Sequence, residues 1–199
     1  MRTGYCFDLD GTITSQEILP LLAREVGLYE EIAALTEATI KGVIPFRKSF
    51  LLRCRLLNEL PISRVQQIIA RVSVYDNLVR FIHANRENCF IITGNIDVWV
   101  KPLQQLVGCK MYSSVASVEG DRMLAVQHVL DKGEAIVDIR KSFDRIVSVG
   151  DGMGDVPMFE KSDVRIAFGG THLPIQSLLQ FTDYLTFSEK SLCTLLSTQ

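Results

Sequence analysis

Short apolar runs alternating with helical periodicity constrain this 199-residue chain more than any other feature. Runs at residues 89–93, 145–149, 164–168 and 184–187 are too short for helices and rich in β-branched or aromatic residues. Helical patterns at 77–85, 98–106 and 132–141 fall between them. Strands separated by helices imply right-handed crossovers and a parallel sheet. Residues 4–7 add a short buried strand near the start, and another lies near 110–113. The stretch 115–126, centred on Glu119-Gly120-Asp121, reads as a β-hairpin.

The alternation is broken once, by helices alone from about residue 14 to 75. Ser15 is placed as an N-cap, Pro20 suits a first helical turn, and Gly27 closes the segment. Further helices are expected over 30–40, 45–57 and 63–72. The expected fold is therefore α/β: a Rossmann-like parallel sheet sandwiched by helices, with a small inserted all-helical cap. Residues 1–13 and 76–199 would form the core, and 14–75 the cap.

The chain is long enough for one full core and a small module. Net charge is −2 with no long basic block, which argues against a nucleic-acid partner. No apolar stretch approaches the roughly 20 residues of a spanning helix, so no membrane partner is expected. The first strand comes almost at once, so no signal peptide is expected. The five cysteines (Cys6, Cys54, Cys89, Cys109, Cys193) contain no CxxC pair and read mainly as buried, reduced thiols. A cytoplasmic monomer or homodimer fits these features. His83, His128 and His172 lack metal-ligand spacing and receive no role, while Trp99 and Tyr184 read as packing residues.

Four small polar groups fall at the C-terminal ends of the expected parallel strands, the edge where open α/β sheets bind ligands. Asp8-Leu9-Asp10-Gly11-Thr12 places two carboxylates two residues apart, on one side of an extended chain. One could attack phosphorus and form an acyl phosphate, while the other moves the proton of the leaving group and then of water. Two aspartates in a plain turn would look the same. Thr93-Gly94 offers a hydroxyl and an open backbone N–H to a phosphate oxygen. Lys132 could offset charge on a transferring phosphoryl group, although surface lysines are common. Gly150-Asp151-Gly152-Met153-Gly154-Asp155 supplies hard oxygen ligands on a tight loop, suited to Mg²⁺.

In this order the four groups resemble the haloacid dehalogenase superfamily, over nearly the whole chain. The resemblance implies a Mg²⁺-dependent phosphomonoester hydrolase, with Asp8 as nucleophile and Asp10 as general acid/base. Thr93 would bind phosphate and Lys132 would stabilise its charge. Asp8, the Asp10 backbone carbonyl and Asp151 would hold the metal, with Asp155 supporting it.

The cap position is similar to the phosphoserine phosphatase branch. By that resemblance Glu17 would meet a substrate ammonium and Arg53 a substrate carboxylate, making phosphoserine or a similar small phosphorylated metabolite the expected substrate. Helix geometry supports Arg53 independently: at about 100° per residue, Phe46, Phe50, Arg53 and Leu57 share one stripe. An arginine within an apolar stripe requires an anionic partner when desolvated. An internal ion pair would serve equally, and helix capping is a rival role for Glu17. Phe46 could cover the substrate or simply pack in the core. Two positions depart from the branch pattern: Thr93-Gly94-Asn95 stands for Ser-Gly-Gly, and Gly154 for Asn. Gly94 and Asn95 are accordingly candidate substrate contacts. Phosphoryl transfer to an alcohol and non-catalytic phosphate binding are the alternative activities.

Overall fold

The computed structural model describes residues 2–199. Strand β1 (Thr3–Phe7) is followed by helices α1 (Ile18–Ala23), α2 (Tyr29–Ile40), α3 (Phe46–Leu57) and α4 (Ile62–Ile69). Then come α5 (Asp76–Ala84), β2 (Cys89–Ile96), α6 (Asp97–Val107), β3 (Lys110–Glu119) and β4 (Arg122–His128). The chain ends with α7 (Lys132–Arg140), β5 (Arg145–Gly150), α8 (Val156–Phe159), β6 (Val164–Phe168), α9 (Gln176–Leu179), β7 (Tyr184–Thr186) and α10 (Glu189–Leu196).

The strands form one sheet in the order β4-β3-β2-β1-β5-β6-β7, parallel except for the antiparallel edge strand β4. Register aligns the polar groups. Phe7 pairs with both Ile91 and Val149, and the Asp8 N–H donates to the Val149 carbonyl at 2.9 Å. Asp8, the end of β2 and the loop after β5 therefore reach the same edge at nearly the same level.

Apolar side chains cover both faces. The larger cluster joins Phe7, Ile91, Trp99 and Val149 of the sheet region to Leu22, Ile32, Phe50 and Val65 of the helical stretch. The smaller lies under α7 and α8, around Cys6, Ile136, Met158 and Phe159. The helices at 18–69 thus share a continuous core with the sheet.

The chain leaves and re-enters the sheet region at adjacent points. Thr14 bridges antiparallel to Val74, Ser15 N–H donates to the Ser73 carbonyl at 3.0 Å, and Tyr75 N–H to the Ile13 carbonyl at 2.9 Å. This pairing corrects the expected N-cap. Ser15 is held by the crossing, and α1 starts only at Ile18, whose N–H donates to Asp10 Oδ1 at 2.9 Å. Other expectations also shift. β2 extends through Thr93-Gly94-Asn95 to Ile96 with an irregular register, so that motif lies within the strand. β3 is continuous, parallel to β2 first and then hairpin-paired with β4. Trp99 is fully buried, but Tyr184 is 47% exposed on the edge strand and is not a core residue. All five cysteines are free, four of them buried.

Candidate active site

Asp8 is the first residue after β1, and the tight turn behind it depends on Gly11. Gly11 has φ +72°, and a Cβ there would overlap the Asp151 carboxylate. A side chain would be strained in conformation and would displace that carboxylate. Lys132 opens α7, where the Asp131 carboxylate caps the helix by accepting from the N–H groups of Gly133 (2.8 Å) and Glu134 (3.3 Å). This cap fixes the start of the helix from which Lys132 reaches Asp8.

Lys132 Nζ donates to Asp8 Oδ1 and, at 2.7 Å, to Asp155 Oδ1. Asp155 Oδ2 accepts from the N–H groups of Asp151 at 2.9 Å and Gly152 at 3.1 Å, closing the loop after β5. Both Asp155 oxygens are therefore engaged by protein donors. Asp155 thereby ties the loop after β5 to Lys132. Asp10 is held at both ends, accepting from Ile18 N–H on Oδ1 and from the Asn95 amide on Oδ2.

One cavity of about 90 Å³ is lined by these groups from below, together with Asp151, Gly94, Asn95 and Gly154. From the helical stretch it is lined by Glu17, Thr36, Phe46, Phe50 and Arg53 among others. Ten of the eleven site residues expected from sequence meet there. Thr93 is the exception: it is fully buried beside the cavity, and its hydroxyl accepts the Asn95 N–H at 3.1 Å. The β2 extension, which keeps Thr93 within the strand, turns its side chain to this local bond.

Among the described residues, five carboxylates and two cations, Lys132 and Arg53, line the cavity. Burial raises the Asp8 carboxyl to about 7, with Lys132 opposing the rise. Burial, reinforced by Glu17 and Asp8, holds Asp10 well above the carboxylate range; burial and then Asp8 do the same to Asp151. Burial disfavours the Lys132 ammonium, yet Asp155 and Asp8 outweigh it and its pKa is raised. Asp8, Asp151 and Asp155 each offer an oxygen, all within 4.8 Å of one another, and Asp151 Oδ2 is buried without a hydrogen-bond partner. An orphaned carboxylate oxygen among like charges fits a hard divalent cation.

On the side of the 18–69 helices, Phe46 and Phe50 stack with centroids 5.3 Å apart, and Phe46 lies so close over Gly94 that a Cβ there would overlap its ring. Arg53 is 5% exposed, and its hydrogen bonds go to the Thr36 hydroxyl (2.8 Å) and the Ser49 carbonyl (3.4 Å), neither an anion. The helical stripe is as expected, with Arg47, Lys48 and Arg55 exposed on other faces. Glu17 occupies the N-cap position of α1 but makes no capping bond. Its Oε1 instead accepts from His172 Nε2 at 3.0 Å. Sequence reasoning missed this contact: 155 residues separate the pair, and no local pattern marks it.

Residues 6–160 match the sequence model of the haloacid dehalogenase-like hydrolases. A phosphoserine phosphatase of Methanocaldococcus jannaschii is 28% identical over 175 residues, covering 81% of this chain and 83% of the relative. A solved structure described as a substrate-bound phosphoserine phosphatase complex shares the fold, with a TM-score of 0.85 and 23% identity over 98% of this chain and 97% of that one. A phosphoserine phosphatase from T. onnurineus gives a TM-score of 0.80 at 26% identity, over 98% of this chain and 94% of its own.

Proposed function

The chain belongs to the haloacid dehalogenase-like hydrolase family and is a phosphatase; from that premise we propose that it is a Mg²⁺-dependent hydrolase of phosphoserine, working through an aspartyl phosphate on Asp8. One observation carries the reading. Lys132 bridges Asp8 and Asp155 on one wall of a cavity whose facing wall holds a buried arginine with no protein anion bonded to it.

The chemistry divides between the two walls. Asp8 attacks phosphorus, and the bond to the ester oxygen breaks as the Asp8–phosphorus bond forms. Asp10 gives its proton to the departing alkoxide, so the alcohol leaves neutral. In the second half, Asp10 takes a proton from water as the water oxygen attacks phosphorus; the Asp8–phosphorus bond breaks, inorganic phosphate leaves, and both carboxyl groups are restored. Ile18 N–H and the Asn95 amide hold Asp10 in place for both transfers. Lys132 stays within reach of charge accumulating at Asp8. Asp8 and Asp151, with the Asp10 backbone carbonyl, would hold Mg²⁺, and Asp155 would fix the loop that presents Asp151. When bound, Mg²⁺ supplies positive charge to the phosphate oxygens.

Residues 14–75 act in this reading as a cap that selects the substrate. The planar Arg53 guanidinium suits the substrate carboxylate, Glu17 the ammonium, and Phe46 closes over Gly94 to limit water. Phosphate release should be measured for phosphoserine beside other phosphomonoesters, with Mg²⁺ and with chelator. Mg²⁺-dependent preference for phosphoserine is expected; hydrolysis of other esters alone would retain the mechanism and discard the substrate.

A further inference from the structure

His172 makes no hydrogen bond to the sheet-side carboxylates, although a ring nitrogen lies within 4.8 Å of an Asp151 oxygen, and it donates to the one cap carboxylate that faces the substrate cavity. It sits in the loop after β6, and that loop is anchored to the crossing between sheet and cap. Thr171 Oγ1 lies 3.1 Å from the Tyr75 hydroxyl and donates at 3.5 Å to the Thr14 carbonyl. Thr14 and Tyr75 belong to the two chain segments that connect the helical stretch to the sheet. His172 therefore stands on a platform fixed at the crossing.

Glu17 has a second neighbour that makes such a platform matter. A cavity of about 650 Å³ opens between α1, α2 and the 171–175 loop, and Glu17 lines both it and the smaller catalytic cavity. Thr36 and Ile40 line both cavities as well. On the catalytic side, Glu17 faces the repulsion of Asp10 and Asp151. A flexible carboxylate in that position would turn toward the larger space, away from the like charges. His172 also lines the larger cavity and opposes this turn by bonding Oε1, which leaves Oε2 free for a ligand.

We propose that His172 is a positioning residue: it holds Glu17 at the wall between the two cavities, with one oxygen directed to a substrate ammonium. The inference rests on the phosphoserine reading above and adds the group that sets its amino-group preference.

The test compares phosphoserine with the same phosphoester lacking the amino group, using Mg²⁺-loaded wild type, His172→Ala and His172→Gln. Thermal melting confirms that each variant folds. A hydrogen bond to a charged group is worth enough to shift populations about tenfold. His172→Ala should accordingly raise KM for phosphoserine by about tenfold, while kcat and both constants for the deamino ester change less than about twofold. His172→Gln, which keeps an N–H donor, should recover most of the loss. Unchanged preference in His172→Ala, or equal losses on both esters, overturns the inference alone. A wild type that takes both esters equally, or neither, overturns the phosphoserine reading, and the inference falls with it.

Discussion

The two walls of the catalytic cavity are built on opposite terms. On the sheet side, charged groups satisfy one another: Lys132 binds two carboxylates, and Asp155 accepts from Lys132 and two backbone N–H groups. On the side of the 18–69 helices, one buried charge is under-partnered: Arg53 bonds only a hydroxyl and a carbonyl. A closed network holds reacting atoms in position before the substrate arrives. An open one leaves binding capacity that a ligand must complete, at a cost to stability. If this division holds, substitutions on the sheet side should harm turnover or folding with every substrate. Those on the cap side should harm only substrates carrying the matching group.

The largest break is expected from Asp8→Asn. The amide keeps the shape of the carboxyl but cannot form the acyl phosphate, so turnover should fall by on the order of a thousandfold or more on every ester. Circular dichroism should show the fold intact; measurable residual turnover near wild type would remove Asp8 from the nucleophile role. Next comes Asp155→Ala. It leaves a buried ammonium with one carboxylate and strips acceptors from Asp151 and Gly152 N–H, a loss of about 3–5 kcal/mol. For a chain of this size the melting temperature should drop by on the order of 10 °C. A drop below about 2 °C would mean that the network is not closed through Asp155.

Arg53 probes the other wall. Arg53→Ala should lower kcat/KM about 10–100-fold for carboxylate-bearing phosphoesters and leave a generic aryl phosphate within about threefold. Arg53→Met sharpens the contrast, because an apolar side chain of similar length removes an under-partnered buried charge. Its melting temperature should equal or exceed that of wild type while the carboxylate selectivity disappears. Equal loss on both substrates, or marked destabilisation by Met, would assign Arg53 to the internal structure.

The sheet wall was largely legible from sequence, and the cap wall less so, for a physical reason. Asp8, Asp10 and Asp151 follow apolar strand runs, so strand periodicity places them at one edge, whereas Lys132 opens α7 after the antiparallel strand β4. Arg53 was legible through helical periodicity, which put it on the stripe of Phe46 and Phe50. What failed were features set by contacts distant in sequence. Ser15 has the chemistry of an N-cap, but the Thr14–Val74 bridge captures it first. The strand expected over 89–93 runs on through Gly94 and Asn95 to Ile96 beside β3, which a Thr-Gly pair does not announce. The Glu17–His172 contact arises only when the loop after β6 meets the start of α1.

The smallest expected effect tests where the two walls meet. The chain carries a carboxamide at Asn95, where the branch pattern has Gly, and lacks one at Gly154, where the pattern has Asn. Both positions line the same cavity. Asn95 is tied into the sheet-side network through Asp10, whereas a Cβ at Gly154 would meet nothing within 4 Å. Gly154 also has no left-handed backbone requirement among the described residues. Gly154→Asn should therefore change stability by no more than about 0.5 kcal/mol, within about 2 °C of melting temperature. It adds a polar group to the cavity without breaking an existing bond, so aryl phosphate turnover should remain within about threefold. A large loss of stability would show that the space is not open to a side chain. A large loss of turnover with the melting temperature unchanged would show that the open space at Gly154 is already used by the bound phosphoester. The closed wall would then extend further toward the cap than the hydrogen bonds around Asp155 imply.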